Sequence, residues 1–179
     1  MYKEIKFYLI DLAHQSDGCV IWKITSMADT STTSVSAAQC AEYGVLDLAN
    51  AYRNGSVTPL DAVESCLTAC AAVDGTIGAW QEIYADEARD AARKATQFFL
   101  TKAHESESVS LMYGVPFALK DIIDVSGKVT TAGCAERTNH VAACTATIAS
   151  RLLAAGGILI GKVKTVEFAR GMRYLFFLH

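Results

Sequence analysis

Apolar residues recur at helical spacing in four stretches of the chain. Over residues 45–54, Val45, Leu48, Ala49 and Tyr52 fall on one face, which predicts an amphipathic helix. Asn54-Gly55 closes it, because glycine takes the left-handed conformation that ends helices. Thr58-Pro59 opens a second helix, with threonine as N-cap and proline at the first helical position. Asp61 sits in its first turn, where the helix dipole favours an acid. Leu60, Val63, Leu67 and Cys70 form its apolar stripe. Residues 85–102 are alanine-rich, with Ala88, Ala91, Ala92, Ala95, Phe98 and Phe99 predicted to face inward. Asp86, Glu87, Asp90, Arg93 and Lys94 are predicted to face solvent. A fourth helix is expected over about residues 145–155. Its expected cap is Thr145, Ile148, Leu152 and Leu153 point inward, and Gly156-Gly157 stops it.

Strand patterns lie between these helices. Residues 79–84 alternate. Residues 115–119 form a short apolar run that ends in Lys120, with Asp121 and Asp124 just beyond. Glycine turns follow at Ser126-Gly127 and Ala132-Gly133. Ile158-Leu159-Ile160 reads as a short buried parallel strand. Strand, helix and strand in this order predict a βαβ unit in an α/β sheet. A lysine at the mouth of a buried strand is unusual, because taking an ammonium out of water is costly. Such burial lowers a lysine pKa until the amine can act as a base. The residues alone also allow an ordinary lysine that pairs with Asp121 or Asp124.

Composition removes several function classes. Net charge is −3 over 179 residues, which argues against a partner held by nucleic-acid phosphates. No apolar run approaches the ~18 residues of a membrane span, so a cytoplasmic protein with no membrane partner is expected. The six cysteines are Cys19, Cys40, Cys66, Cys70, Cys134 and Cys144. None forms a C-x-x-C pair, and no histidine stands near Cys66 and Cys70 to complete a zinc set, so reduced, half-buried thiols are expected. His104-Glu105 lacks a histidine at position 108, which is serine, and that removes a metalloprotease helix. Gly156, Gly161 and Lys162 fit most of a phosphate-loop pattern. Val163 replaces the hydroxyl residue, however, and the middle is an apolar strand, so nucleotide binding is set aside.

Several segments resemble one family. Gly114-Val115-Pro116-Phe117-Ala118-Leu119-Lys120-Asp121 and Thr130-Thr131-Ala132-Gly133 are similar to two segments of the amidase signature family, the serine hydrolases and amidotransferase subunits that cleave carboxamides. Ala154-Ala155-Gly156-Gly157-Ile158-Leu159-Ile160-Gly161-Lys162 and Glu167-Phe168-Ala169 resemble a further segment, in the right order. The resemblance implies an α/β fold, the N-terminal part of a mixed sheet wrapped by helices. It also implies hydrolysis of a carboxamide C–N bond by a Ser–cis-Ser–Lys triad acting on a small-molecule amide, without cofactor or metal. Lys120 matches the lysine, the general base of that triad. Burial, with cationic neighbours at Lys128 or Lys162, is expected to lower its pKa.

The family's glycine–serine loop, which carries both serines and the oxyanion donors, is absent from the sequence, and Ser126 is not the nucleophile of the pattern. The chain is therefore expected to be a truncated portion, inactive alone, with an open strand edge. Four segments are expected. Residues 1–26 are an unmatched extension, with Met27 as the natural start. Residues 27–44 are a flexible Ser/Thr/Ala-rich tract, 45–171 the amidase portion, and 172–179 a divergent apolar tail. Two other readings stand beside this one: a non-enzymatic or partner-binding product, and an amidotransferase A subunit.

Overall fold

The computed structural model describes residues 9–11, 20–21, 37–102 and 108–170. Three helices come early: α1 (Val45–Asn54), α2 (Pro59–Ile77) and α3 (Ala85–Thr101). Local chemistry sets their ends as the sequence predicts. Thr58 Oγ1 accepts from the Asp61 N–H at 3.1 Å, while the Asp61 carboxylate accepts from the Thr58 N–H at 2.9 Å. This reciprocal pair satisfies two of the amides that a helix start leaves without partners. Gly55 follows α1 in the left-handed conformation. On α3 the charged face is exposed and Ala88, Ala92 and Ala95 are buried.

The strands are β1 (Leu9–Asp11), β2 (Val20–Ile21), β3 (Trp80–Ile83), β4 (Pro116–Lys120) and β5 (Ile158–Val163). They form one mixed sheet in the order β2-β1-β4-β5-β3. β4 and β5 are parallel and are joined through α4 (Thr147–Ala154), the expected βαβ unit. β3 runs antiparallel to β5. β4 is interior to the sheet: Leu9 and Ile10 pair with it in parallel, opposite Ala118 and Leu119. The backbone of β1 supplies the partners that an edge strand otherwise lacks.

Side chains alternate across the sheet and divide the core. Ala118, Ile158, Ile160 and Val163 pack with Val63, Cys70 and Ala92 beneath α2 and α3. Phe117, Leu119, Ile123 and Val125 pack with Ala149 of α4 on the other face. α4 differs from expectation. It begins two residues later, at Thr147, and Thr145 does not cap it. The Thr145 hydroxyl instead accepts from the Ser126 N–H at 3.0 Å, so that group is already engaged. Leu153 is exposed and Ala149 is the residue fully buried against the sheet.

One irregularity in β5 shapes the site. Phe117 stands opposite Leu159, but Ala118 stands opposite Gly161, so Ile160 is the extra residue of a β-bulge. Without the bulge Lys162 would share a face with Ile158 and Ile160. With it, Lys162 lies opposite Leu119 and turns to the other face. Gly161 is required here: a Cβ would stand 2.2 Å from the Glu82 carbonyl oxygen of β3.

Candidate active site at the ends of β4 and β5

Lys120 is the last residue of β4 and is half-buried. The chain leaves the strand in a tight turn. The Asp121 N–H donates to the Val163 carbonyl at 2.8 Å, and the Ile123 N–H donates to the Lys120 carbonyl at 3.0 Å. The fully buried amine of this region belongs to a different residue, Lys162, at 0% exposure. Its Nζ donates to the Val129 carbonyl at 2.9 Å, to Thr130 Oγ1, and to Asp121 Oδ1 at 3.3 Å. Burial pushes the Lys162 pKa down, and the charge of Asp121 opposes that shift, with help from Asp124 and Glu82.

Asp121 is equally enclosed, at 1% exposure. Its second oxygen accepts from the Thr131 N–H at 3.0 Å and from the Thr131 hydroxyl. The Thr131 hydroxyl oxygen accepts in turn from the Gly133 N–H at 3.1 Å. The Ala132 N–H donates to the Asp121 carbonyl at 2.8 Å. Residues 130–133 thus form a strap tied across the strand ends. The strap also holds the turn Glu167–Ala169, because the Phe168 N–H donates to the Ala132 carbonyl at 2.7 Å. Contact is close: a Cβ on Gly133 would lie 2.5 Å from the Thr165 carbonyl oxygen. Ala132, Phe168 and Ala169 adopt φ of 53°, 47° and 54°, left-handed conformations that L-residues avoid and that cluster at functional sites.

The four motif segments read from the sequence therefore converge on one place. Asp121, the threonine-glycine strap, Lys162 and the turn Glu167–Ala169 are distant in sequence and bonded to one another in space. Beside them lies an open groove lined by Gln81, Thr131, Gly133, Cys134, Lys164 and Thr165. The Thr165 hydroxyl is buried without a hydrogen-bond partner.

The structure gives partners to several residues named from the sequence. Asp121, offered as a partner for Lys120, makes a buried ion pair with Lys162. Lys128, offered as a cationic neighbour, pairs with Glu87 of α3 and lies 4.2 Å from the centroid of the Tyr84 ring. Ser126 is exposed and its Oγ donates to the Ala143 carbonyl at 3.1 Å. The buried role of Lys162 was missed. Gly161 carried the signal, since a glycine inside a strand marks a bulge or a close backbone approach. Among the described residues no cluster of three or more metal-ligating side chains occurs, and no helix is long and apolar enough to cross a membrane.

Comparison with known proteins places this chain in a family. The family model described as Amidase matches residues 61–174. Among curated proteins, the glutamyl-tRNA(Gln) amidotransferase A subunit of Anaeromyxobacter sp. (strain K) is 38% identical over 116 residues, 65% of this chain and 23% of that protein. Its counterpart from Chloroflexus aurantiacus is 35% identical over 117 residues, 65% of this chain and 23% of that protein. The chain thus spans about 23% of the length of these curated relatives. Among solved structures, an amidase family protein from Bacillus anthracis matches with a TM-score of 0.65 and 23% identity, over 77% of this chain and 27% of that one. The native peptide amidase from Stenotrophomonas maltophilia matches with a TM-score of 0.63 and 24% identity, over 73% of this chain and 26% of that one. Both structural likenesses are of fold. With more than half its length matched by the family model, and with the family's motif segments gathered at one end of the sheet, the chain belongs to the amidase signature family.

Proposed function

We propose that this chain carries the general-base part of a carboxamide C–N hydrolase, with Lys120 as the base of a Ser–cis-Ser–Lys triad. The observation that supports it most is the position of Lys120. It ends the central parallel strand, half-buried, at the strand ends where α/β folds place their ligand crevice, and the neighbouring motif segments are bonded to Asp121, the next residue in the chain. In such a triad the unprotonated lysine takes a proton through a bridging serine while a second serine attacks the amide carbon. The 179 residues include no Gly-Gly-Ser-Ser loop, so this polypeptide alone is expected to hydrolyse no amide above the buffer rate. The groove beside the site takes a small-molecule amide, with no cofactor. The amidase portion proper is residues 45–171.

A second reading is favoured by the curated relatives, which are amidotransferase A subunits. On that reading the same chemistry releases ammonia from an amide donor for transfer to a charged tRNA held by partner subunits. One experiment tests the base and separates the two readings. Residues 45–171 replace the matching segment of the Anaeromyxobacter relative, which supplies the rest of the fold. The chimera is assayed on simple amides, and on glutamine with and without the partner subunits. Hydrolysis of simple amides alone supports the free-standing amidase, and glutamine cleavage only with partners supports the amidotransferase. In either case Lys120→Ala is expected to lower the rate by about three powers of ten or more. A Lys120→Ala chimera that keeps a tenth of the activity rejects Lys120 as the base.

A further inference from the structure

Lys162 has no part in the triad chemistry, yet it is among the most completely buried side chains in the molecule. A lysine is a costly way to fill such a space. A buried ion pair of this kind is seldom more stabilising than apolar residues of the same volume. The fold nevertheless directs the amine inward: the bulge at Ile160 turns it to the Asp121 face, and Gly161 admits that bulge against β3. We infer that Lys162 and Asp121 form a positioning pair for Lys120, a charged tie that fixes the end of β4, which Lys120 occupies, and fastens the strap of residues 130–133 to it.

The pair reaches Lys120 through short links. Asp121 is its neighbour in the chain and is held by its own N–H on Val163, by Lys162 on one carboxylate oxygen, and by Thr131 on the other. The Lys120 carbonyl is fixed by the Ile123 N–H. Lys162 also grips the strap directly, through the Val129 carbonyl and the Thr130 hydroxyl. Removing the pair therefore takes away the side-chain ties of the Lys120 end of β4 and of the strap together, and leaves only backbone hydrogen bonds to hold them. The other charged groups acting on Lys162 are Asp124, in the turn after β4, and Glu82 on β3. Both lie on the same side of the balance as Asp121, so neither replaces the cation.

The functional meaning of this tie rests on Lys120 being the general base, but the coupling itself is testable without catalysis. The chain of residues 1–179 is acetylated briefly with acetic anhydride at fixed pH. Mass spectrometry then gives the rate at Lys120 relative to Lys94, which is exposed on α3. In the double variant Asp121→Asn/Lys162→Met, which leaves neither charge unpaired, the relative rate at Lys120 is expected to rise about fivefold as the strand end opens locally. Lys162→Arg retains the cation and is expected to stay within about twofold of the parent. A folded double variant whose Lys120 rate is unchanged overturns the inference. If the double variant does not fold, the unaltered chain decides. Lys120 labelling and hydrogen exchange at the Thr131 and Ala132 amides should share one opening as urea is raised. Separate openings overturn the inference as well. Loss of activity in the Lys120→Ala chimera is independent of these results, so the base assignment and the positioning pair fail separately.

Discussion

The helical layer and the strand ends are held together by opposite means. Under α2 and α3 the contacts are apolar and small: Val63, Cys70 and Ala92 are wholly buried, and the charged groups stay outside. Arg89 reaches from α3 to Glu64 of α2 at 2.7 Å and 3.1 Å, but both side chains remain a third or more exposed, where such pairs contribute little and are screened by salt. At the ends of β4 and β5 the charged pair is inside and wholly enclosed. Apolar burial is non-directional and tolerates change by degrees. A buried polar network does not, because each group left without its partner costs the full desolvation of that partner. The stable layer is therefore the less demanding one, and the exacting geometry is confined to where chemistry is proposed.

The sharpest way to break this contrast is Lys162→Met. It leaves the Asp121 carboxylate buried and unpaired, which is expected to cost about 3–5 kcal/mol in urea denaturation. That is a large part of the stability of a domain this size. A loss below about 1 kcal/mol would mean that water reaches Asp121 readily, and the strand ends would then be no different in kind from the helical layer. Next in size is Gly161→Ala. The added Cβ meets the Glu82 carbonyl oxygen at 2.2 Å, and that oxygen belongs to backbone and does not simply rotate away. β3 must move or the bulge must shift, at an expected cost of about 2–3 kcal/mol. Thermal melting of the single variant reads this directly, and an unchanged midpoint would show that the bulge does not depend on the glycine.

The same contrast explains what could be read from sequence. The starts of α1, α2 and α3 were legible to the residue because their signals are local. Thr58-Pro59 and Asp61 write the start of α2 within four positions, and Asn54-Gly55 writes the end of α1. The βαβ unit and Lys120 at the end of β4 were legible too, the first from the order of patterns and the second from the apolar run that ends in it, while its expected role came from a family resemblance. The Lys162–Asp121 pair was not, since it joins residues 41 apart in sequence. It also depends on a bulge that reverses the face expected from simple alternation. Thr145 misled for a related reason. Its hydroxyl suits a helix cap, but the Ser126 turn, 19 residues earlier, takes it first. Tertiary partners decided both cases: Gly161 marks the bulge locally, but no local pattern names the partner of Lys162 or of Thr145.

A smaller effect divides the two regions by the sign of their response to alkali. In the helical layer burial pushes the Cys66 thiol from 9.0 up to about 12 and the Cys70 thiol up to about 11. Above pH 9 the unfolded chain loses these protons while the folded chain keeps them. The folded state then binds more protons, and stability falls as pH rises, by up to about 1.4 kcal/mol per pH unit for each thiol. Lys162 acts the other way. Its folded pKa lies below 10.5, so between that value and 10.5 the unfolded chain binds more protons and stability rises with pH. The buried phenols of Tyr52 and Tyr84, also raised, add to the fall above pH 10. Urea titrations at intervals from pH 8 to about 10.5 should therefore show a net decline in the unaltered chain, because three thiols, Cys40 among them, oppose one amine. Cys66→Ala/Cys70→Ala removes most of the downward contribution, leaving that of Cys40, and is expected to flatten the slope below pH 10, whatever its effect on absolute stability. Asp121→Asn/Lys162→Met removes the upward contribution and is expected to steepen the decline. If the two double variants change the slope in the same direction, the amine of Lys162 does not feel the enclosure that its geometry describes, and the strand ends are wetter than their packing implies.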